Sequence, residues 1–402
     1  MKRLRIAHLI DLANVGGVET LYAEFLRASP PDGWHVEHLT VADSPEPAAR
    51  FSDIGQHGRY VSWRCLGPLS VPRRPYALRA WNRLRLIRQF RPDLVVAWNQ
   101  FTDFRLDPVE LGCPLVYYEH GMSWYTHHPR QLQGFFPHVA SAIAVSRAGA
   151  RMLQLKHRVP FDVTVCPNPV RPGLSGQSHV PRGLPSGRPL RLGFAGRLVP
   201  LKAVGLLILA IEELRSRGMH AEARIAGEGA ERPVLEALVK RLGLEDRVIF
   251  LGLVDDMSGF YRSIDLFVMT SMHETMPLVC LEAMAHGLPV LCPTVDGFPE
   301  VVDDGKTGAC LAPRWPIDDY ARATGASTAF AREVYDPDLD SLVPTRLMHP
   351  ADMADALQFM TSTEERYREL SAGALAKAAV AHRFDDWLAR FYARLAAAAG
   401  KP

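Results

Sequence analysis

The stretch DLFVMTSMHETMPLVCLEAMAHGLPVLCPTVDGFPEVVDDGKTG, Asp265 to Gly308, opens on four consecutive apolar residues, Leu266–Met269. A polar break, an apolar segment closed by Gly287 and a second apolar run at Pro289–Cys292 follow. Short apolar runs bounded by turn residues read as buried strands, and the longer segment between them as a helix. The spacing predicts strand, loop, helix, strand, the unit of a parallel sheet, with the helix over Pro277–His286 and proline in its first turn. Glu274 falls in the loop where the first strand ends, and Glu282 inside the helix.

In open α/β sheets ligands bind outside the carboxyl ends of the strands, where helix N-termini present free N–H groups. Glu274 lies at that edge. Helical side chains lean toward the N-terminus, so the Glu282 carboxylate reaches the same crevice. The helix is apolar nearly all round and must be buried, so its carboxylate needs a partner. His286, four residues on, is one available along the helix.

The run E-T-M-P-L-V-C-L-E-A-M-A-H-G-L-P-V is similar to the Glu-x7-Glu signature of retaining glycosyltransferases of the GT-B fold, family 4. The resemblance continues through Gly297-Phe298-Pro299-Glu300 and Asp304-Gly305-x-x-Gly308. It implies that Glu282 holds the ribose hydroxyls of a nucleotide-sugar and that Glu274 lies by the donor sugar. A carboxylate suits a vicinal diol because it offers two acceptor oxygens to two O–H donors.

Other strand ends carry polar groups too. Leu190–Ala195 leads to Gly196, Arg197 and Lys202 before a helix over Ala203–Arg217, and two cations at a helix start make a phosphate site. The segment resembles the family's Gly-Arg-x(4)-Lys-Gly, with Ala203 in place of the usual glycine; the resemblance implies that Arg197 and Lys202 hold the donor diphosphate. Leu4–Ile10 runs into Gly16-Gly17-Val18-Glu19, similar to the family's opening loop, although a turn without function reads equally well. The strand Pro114–Glu119 ends in Glu119-His120-Gly121, and the resemblance places His120 near the donor sugar. Further donor contacts implied by it are Gly17, Gly227, Leu253, Met276, Leu278 and Val279. His127, His128 and His138 lack zinc spacing, and no metal site is expected.

The 402 residues suit two domains of ordinary size. Alternating strands and helices in both halves predict an α/β protein of GT-B type, two Rossmann-like domains facing a cleft. The expected boundaries are 1–175 for an acceptor domain, 176–189 for a Pro/Gly/Ser-rich linker, and 190–383 for the nucleotide-sugar domain. Within the last, 314–348 departs from the family as an insertion, either an acceptor lid or partner site or a surface excursion, with a helical patch around Ala321–Val334. A final helix from about Phe384, residues 384–402, packs back on the first domain by the same resemblance.

Six cysteines without a CxxC pair point to a reducing compartment. The N-terminal apolar run is too short for a signal peptide, so a cytoplasmic protein is expected. Net charge is +2, yet residues 1–185 hold 22 Lys+Arg against 14 Asp+Glu, +8, leaving 24 against 30, −6, for the rest. Seven arginines fall between 73 and 91 with no acid among them. They form a solvated face, or a basic face that attracts a soluble anionic acceptor, or Arg79, Arg83 and Arg88 with Trp81 and Phe90 meet an anionic inner membrane surface.

The expected activity is retaining, metal-independent transfer of a hexosyl group from a UDP- or GDP-sugar to a hydroxyl of a glycan or glycolipid acceptor. The setting implied is cell-surface polysaccharide or lipopolysaccharide synthesis. No cofactor beyond the donor and no nucleic-acid partner is expected. A nucleotide-sugar epimerase of the same fold, or a silent binding homologue, are the rivals. A dehydrogenase is disfavoured because neither half opens with GxGxxG.

Overall fold

The computed structural model describes residues 2–67, 69–72, 74–102, 111–170, 180–328, 330, 332–381 and 383–401. By contact the chain divides into two units: Met1–Val145 with Lys156–Pro167 and Asp385–Pro402, and Ser146–Leu155 with Asn168–Phe384. Each is built on one parallel sheet, so the chain is an α/β protein with two Rossmann-like domains.

The first sheet contains β1 (Lys2–Leu9), β2 (Trp34–Ala42) and β3 (Arg59–Ser62). A two-residue-per-strand hairpin, β4 (Cys65–Leu66) and β5 (Leu69–Ser70), stands outside it. The sheet continues with β6 (Leu94–Trp98), β7 (Leu115–Glu119), β8 (Val139–Ala144) and β9 (Val163–Val165). Its order is β3-β2-β1-β6-β7-β8-β9, parallel throughout. The chain turns back between β1 and β6, which sets the switch point beside their carboxyl ends. Both strands are buried there, as a parallel sheet covered on both faces requires.

The helix Phe384–Ala398 sorts with this first unit. Trp387, Phe391 and Tyr392 pack around Phe25, with ring centres 5.2–6.2 Å apart, and Phe391 stacks on Tyr118 at 4.8 Å. Below them, Trp98 Nε1–H donates to His8 Nδ1 at 3.1 Å. An indole nitrogen only donates, so His8 carries its proton on Nε2 and donates to His38 Nδ1 at 3.0 Å. His38 then donates from Nε2 to the Tyr392 hydroxyl at 3.4 Å. Burial holds His38 down at about 4 and His8 well below the ordinary histidine range.

The second sheet contains β10 (Leu190–Ala195), β11 (Ala221–Ala226), β12 (Val248–Gly252), β13 (Leu266–Val268), β14 (Val290–Pro293) and β15 (Gly308–Leu311). Its order is β12-β11-β10-β13-β14-β15, again parallel, with the switch point between β10 and β13. After β15, helix Ile317–Thr324 ends at Gly325 (φ 78), and an antiparallel hairpin follows, β16 (Glu333–Asp336) and β17 (Ser341–Pro344). The expected helical patch at 321–334 is therefore corrected: the left-handed glycine stops the helix, and Val334, Tyr335 and Val343 are strand formers.

Residues 176–179 of the expected linker lie outside the described residues, while Arg182 within it is no loose spacer. Its guanidinium donates to the carbonyls of His286 (2.7 Å), Ile264 (2.7 Å) and Tyr261 (2.9 Å), and its backbone N–H to Ser371 Oγ (2.8 Å). No helix among the described residues is long and apolar enough to cross a membrane.

Candidate active site

Two chain segments leave the β10/β13 switch point, and the charged residues of the second unit sit on them. After β10 comes Gly196, whose carbonyl would lie 1.9 Å from any Cβ at Gly227 (φ 138). The strand-end loops thus touch backbone to backbone, which only glycine permits. Leu198 exchanges hydrogen bonds with the Gly227–Glu231 loop, at 2.9 Å from its N–H to Glu228 and 2.9 Å from Glu231 to its carbonyl. Between these anchors Arg197 stands exposed, with no ion-pair partner among the described residues.

A single tight turn, Pro200–Lys202, delivers Lys202. Ala203 follows at φ 45, the position where the family carries glycine, and helix Gly205–Ser216 begins after it. The left-handed backbone explains the glycine: an L-residue there costs about 1–2 kcal/mol. The Lys202 carbonyl is held by Thr270 Oγ1 at 2.8 Å, which ties this turn to the loop after β13.

That second loop delivers Glu274. Its carboxylate forms an ion pair with Lys202 and accepts from Ser271 Oγ at 3.0 Å. Helix Leu278–Ala285 follows, one residue shorter at each end than the sequence predicts, with Pro277 as the residue before it. Glu282 is 1 % exposed and accepts from the Tyr261 hydroxyl at 2.9 Å. The expected pairing with His286 is corrected: His286 Nδ1 bonds the Glu282 backbone carbonyl at 2.8 Å and its Nε2 meets Ser258 Oγ at 3.1 Å. The imidazole lies over the helix end, where the unsatisfied carbonyls are. Met276 is buried, its sulfur accepting from Asn168 N–H at 3.1 Å; Leu278 and Val279 open the helix, and Leu253, after Gly252, is 81 % exposed.

In the first unit, Gly17 is the first residue of helix Gly17–Arg27, with open space around its Cα. His120 follows β7 and stacks on Trp98 at 6.0 Å. Its Nε2 is enclosed with no hydrogen-bond partner among the described residues, and burial pushes the imidazole down to about 3, so it is neutral. Asn99, at the end of β6, fixes this turn by accepting from His120 and Met122 N–H, both at 3.0 Å. Glu119 is fully buried, accepts from Tyr117 OH at 2.6 Å and from Gly121 N–H, and is raised by burial. A concavity of about 450 Å³ at the carboxyl ends of β1, β2 and β6 is lined by Asp11, Asp43, Trp63, Tyr76, Phe101 and Gln131, among others.

The basic helix Tyr76–Phe90 does not present the residues the sequence suggests. Arg83 is 3 % exposed and Phe90 is buried, while Arg79 turns inward onto the Val71 carbonyl at 3.1 Å. All three lie on the face that packs inward. The outward face carries Leu78, Trp81, Arg88 and, just past its end, Arg91, with Arg85 over the Trp81 ring at 5.7 Å. Arg73 lies outside the described residues.

Sequence reasoning missed Tyr261, Arg182, Asp296 and His273. His273 Nδ1 bonds the buried Asp296 carboxylate at 2.8 Å. Only His273 had a visible signal, its place beside Glu274.

A family model described as Glycosyl transferases group 1 matches residues 189–327, and one described as Glycosyltransferase Family 4 matches residues 15–174. A D-inositol 3-phosphate glycosyltransferase of Nocardia farcinica is 36% identical over 165 residues, 39% of this chain and 36% of that protein. A glycosyltransferase of Methanocaldococcus jannaschii is 38% identical over 125 residues, 31% of this chain and 32% of that one. The chain thus aligns with about a third of the length of these curated relatives. HepE of Anabaena, crystallised with UDP and glucose, superposes with a TM-score of 0.72 at 18% identity, covering 98% of this chain and 100% of that one. WaaG, a glycosyltransferase involved in lipopolysaccharide biosynthesis, gives 0.63 at 16% identity over 97% and 99%. At such identities the likeness shows the GT-B fold.

Proposed function

The chain belongs to the group 1, family 4 glycosyltransferases, and from that premise we propose that it transfers a sugar from a UDP- or GDP-sugar to a hydroxyl of a glycan or glycolipid acceptor. Transfer proceeds with retention and without a metal, in cell-surface polysaccharide or lipopolysaccharide synthesis. The observation that carries this reading is the convergence of Arg197, Lys202 and Glu274 on the β10/β13 switch point, with Glu282 in the helix that follows.

Each residue has a role its chemistry supports. Arg197 offers an unpaired guanidinium, and Lys202 a point charge, to the negative charge that grows on the leaving diphosphate. Glu282 offers its carboxylate to the ribose diol, oriented by Tyr261. Glu274 acts at the sugar, and the neutral His120 imidazole serves as a hydrogen-bonding group for a sugar hydroxyl. Gly17, Gly227, Leu253, Met276, Leu278 and Val279 complete the donor contacts. The aromatic and acidic concavity of the first unit suits a carbohydrate acceptor, with ring faces and hydroxyl acceptors side by side.

The outward face of helix Tyr76–Phe90 supports peripheral attachment to an anionic inner membrane surface, on the cytoplasmic side, where a lipid-linked acceptor resides. A thermal-shift panel of UDP, GDP, ADP and their sugars tests the donor reading, since a ligand bound to the native state raises Tm. A uridine or guanosine diphosphate should raise Tm, and Glu282→Gln should weaken that binding by roughly 1–3 kcal/mol. No shift with any nucleotide, or an unaltered shift in the variant, would defeat the assignment.

A further inference from the structure

Around Asp296 the contacts of the second unit form a closed circuit. Asp296 has a fully buried carboxylate on a left-handed backbone (φ 50). A carboxylate only accepts, so His273 donates to Oδ2 from Nδ1, at 2.8 Å. The Tyr335 N–H donates to Oδ1 at 2.8 Å, and the Asp296 N–H donates back to the Tyr335 carbonyl at 2.9 Å. The next residue, Gly297, donates its N–H to the Glu274 carbonyl at 3.0 Å. A Cβ there would meet the Thr275 carbonyl at 1.9 Å, so the two loops touch backbone to backbone.

Tyr335 belongs to β16 of the insertion. Its hydroxyl donates to Asp340 Oδ1 at 2.8 Å, and Arg151 grips both Asp340 oxygens at 2.7 Å. Arg151 lies on helix Arg147–His157, whose first N–H groups, from Arg147 and Ala148, donate to the Glu300 carboxylate at 2.8 and 2.9 Å. Glu300 stands three residues after Gly297, and the circuit closes.

We propose that Asp296 is a positioning residue for Glu274, and that the hairpin β16–β17 is the brace that holds Asp296. The loop from Met269 to Pro277 has no regular structure of its own, so its geometry must be fixed from outside. Asp296 holds it on one side through His273 and, one residue on, through the Gly297–Glu274 backbone bond. The hairpin holds Asp296 through both its backbone and its carboxylate. A reacting carboxylate must stand within a fraction of an ångström of its productive place, and supporting hydrogen bonds supply that. The hairpin therefore serves the reaction as a brace. This rests on the reading of Glu274 as catalytic.

Steady-state kinetics on the full chain, with Tm and nucleotide-induced thermal shift measured alongside, test it. Asp296→Asn keeps the shape but offers one acceptor oxygen to two donors, so His273 or Tyr335 loses its bond. It should lower kcat about tenfold or more while donor KM and the nucleotide shift stay within about twofold. Asp340→Ala cuts the circuit at an exposed residue; it should lower kcat by about threefold with Tm unchanged. Combined with Glu274→Ala, the Asp296→Asn change should add nothing further, because both act on one carboxylate. Unchanged kcat in both single variants would overturn the proposal. So would a loss by Asp296→Asn that multiplies fully with that of Glu274→Ala, or that tracks nucleotide binding. Wild-type turnover in Glu274→Ala alone would instead defeat the donor-site reading.

Discussion

Glu274 and Lys202 neutralise one another across the β10/β13 switch point, and Arg197, exposed after β10, has no such partner among the described residues. An unpaired guanidinium retains all its donors for an arriving diphosphate, whereas Lys202 must exchange part of its contact with Glu274. Arg197→Ala and Lys202→Ala should each reduce turnover by roughly two or more orders of magnitude, since such groups act on transition-state charge. They should differ in stability. Arg197→Ala removes an exposed side chain and should leave Tm within about a degree, while Lys202→Ala leaves a part-buried carboxylate unpaired and should lower it. Equal turnover in wild type and both variants, measured as release of nucleotide diphosphate, would remove the phosphate role.

At the scale of the element, helix Tyr76–Phe90 divides its arginines between two jobs. Arg79 and Arg83 are structural, and both lie within 6 Å of the Trp63 ring centre, at 5.7 and 5.8 Å. The outward set is Arg85, Arg88 and Arg91 around Trp81, which is 55 % exposed, next to a shallow concavity of about 450 Å³. Leu66 and Leu69 on the neighbouring hairpin β4–β5 are exposed as well, at 41 % and 69 %. Each arginine near an anionic bilayer contributes about 1 kcal/mol, and the effect is screened by salt. Co-sedimentation should therefore require vesicles containing phosphatidylglycerol, fall with added salt, and weaken about tenfold or more when Arg85, Arg88 and Arg91 become Glu. Arg83→Glu should instead damage folding. Equal pelleting with neutral and anionic vesicles, or none with either, removes the membrane reading and leaves the transferase reading standing.

At the scale of the molecule, the buried histidines set the response to acid. His38 titrates at about 4 and His120 at about 3 in the folded protein, and His8 well below its ordinary value, all through burial. Unfolded histidines bind protons near 6.5. Between those values the unfolded chain holds more protons, so stability rises with pH and levels off above about 6.5. Glu119, raised by burial, works in the opposite direction above the ordinary carboxyl range. Burial lowers His157 and His286 as well, and raises Glu231 and Glu300. With five histidines against three carboxyls, Tm should fall by roughly 5 °C from pH 7 to pH 5. His38→Gln should flatten that slope, whatever it does to Tm at pH 7. A Tm independent of pH over this range would show that the Trp98–His8–His38–Tyr392 chain is not held neutral. Because Tyr392 lies on helix Phe384–Ala398, the same chain ties the last helix of the sequence to the first sheet.

The two sheets were legible along the chain, as were the places of Arg197, Lys202 and Glu274 after strand ends and of Glu282 in the helix that follows. Apolar runs, glycine punctuation and motif spacing are patterns along the chain, and they survive without knowledge of what lies opposite. The sequence also marked 314–348 as a departure from the family pattern, without its purpose. Which side chains face one another was set by the packing of distant segments. Arg182 sits in a stretch with the composition of a linker, yet it ends on three carbonyls contributed by other elements. Glu282 pairs with Tyr261, 21 residues away, in preference to His286 on its own helix. Asp296 joins the Met269–Pro277 loop to a hairpin 39 residues further on. The inward turn of Arg83 was equally hidden, because a charge run has no periodicity that marks one member for burial. Such pairings depend on how separate segments meet in space, and buried polar groups take whatever partner that meeting supplies.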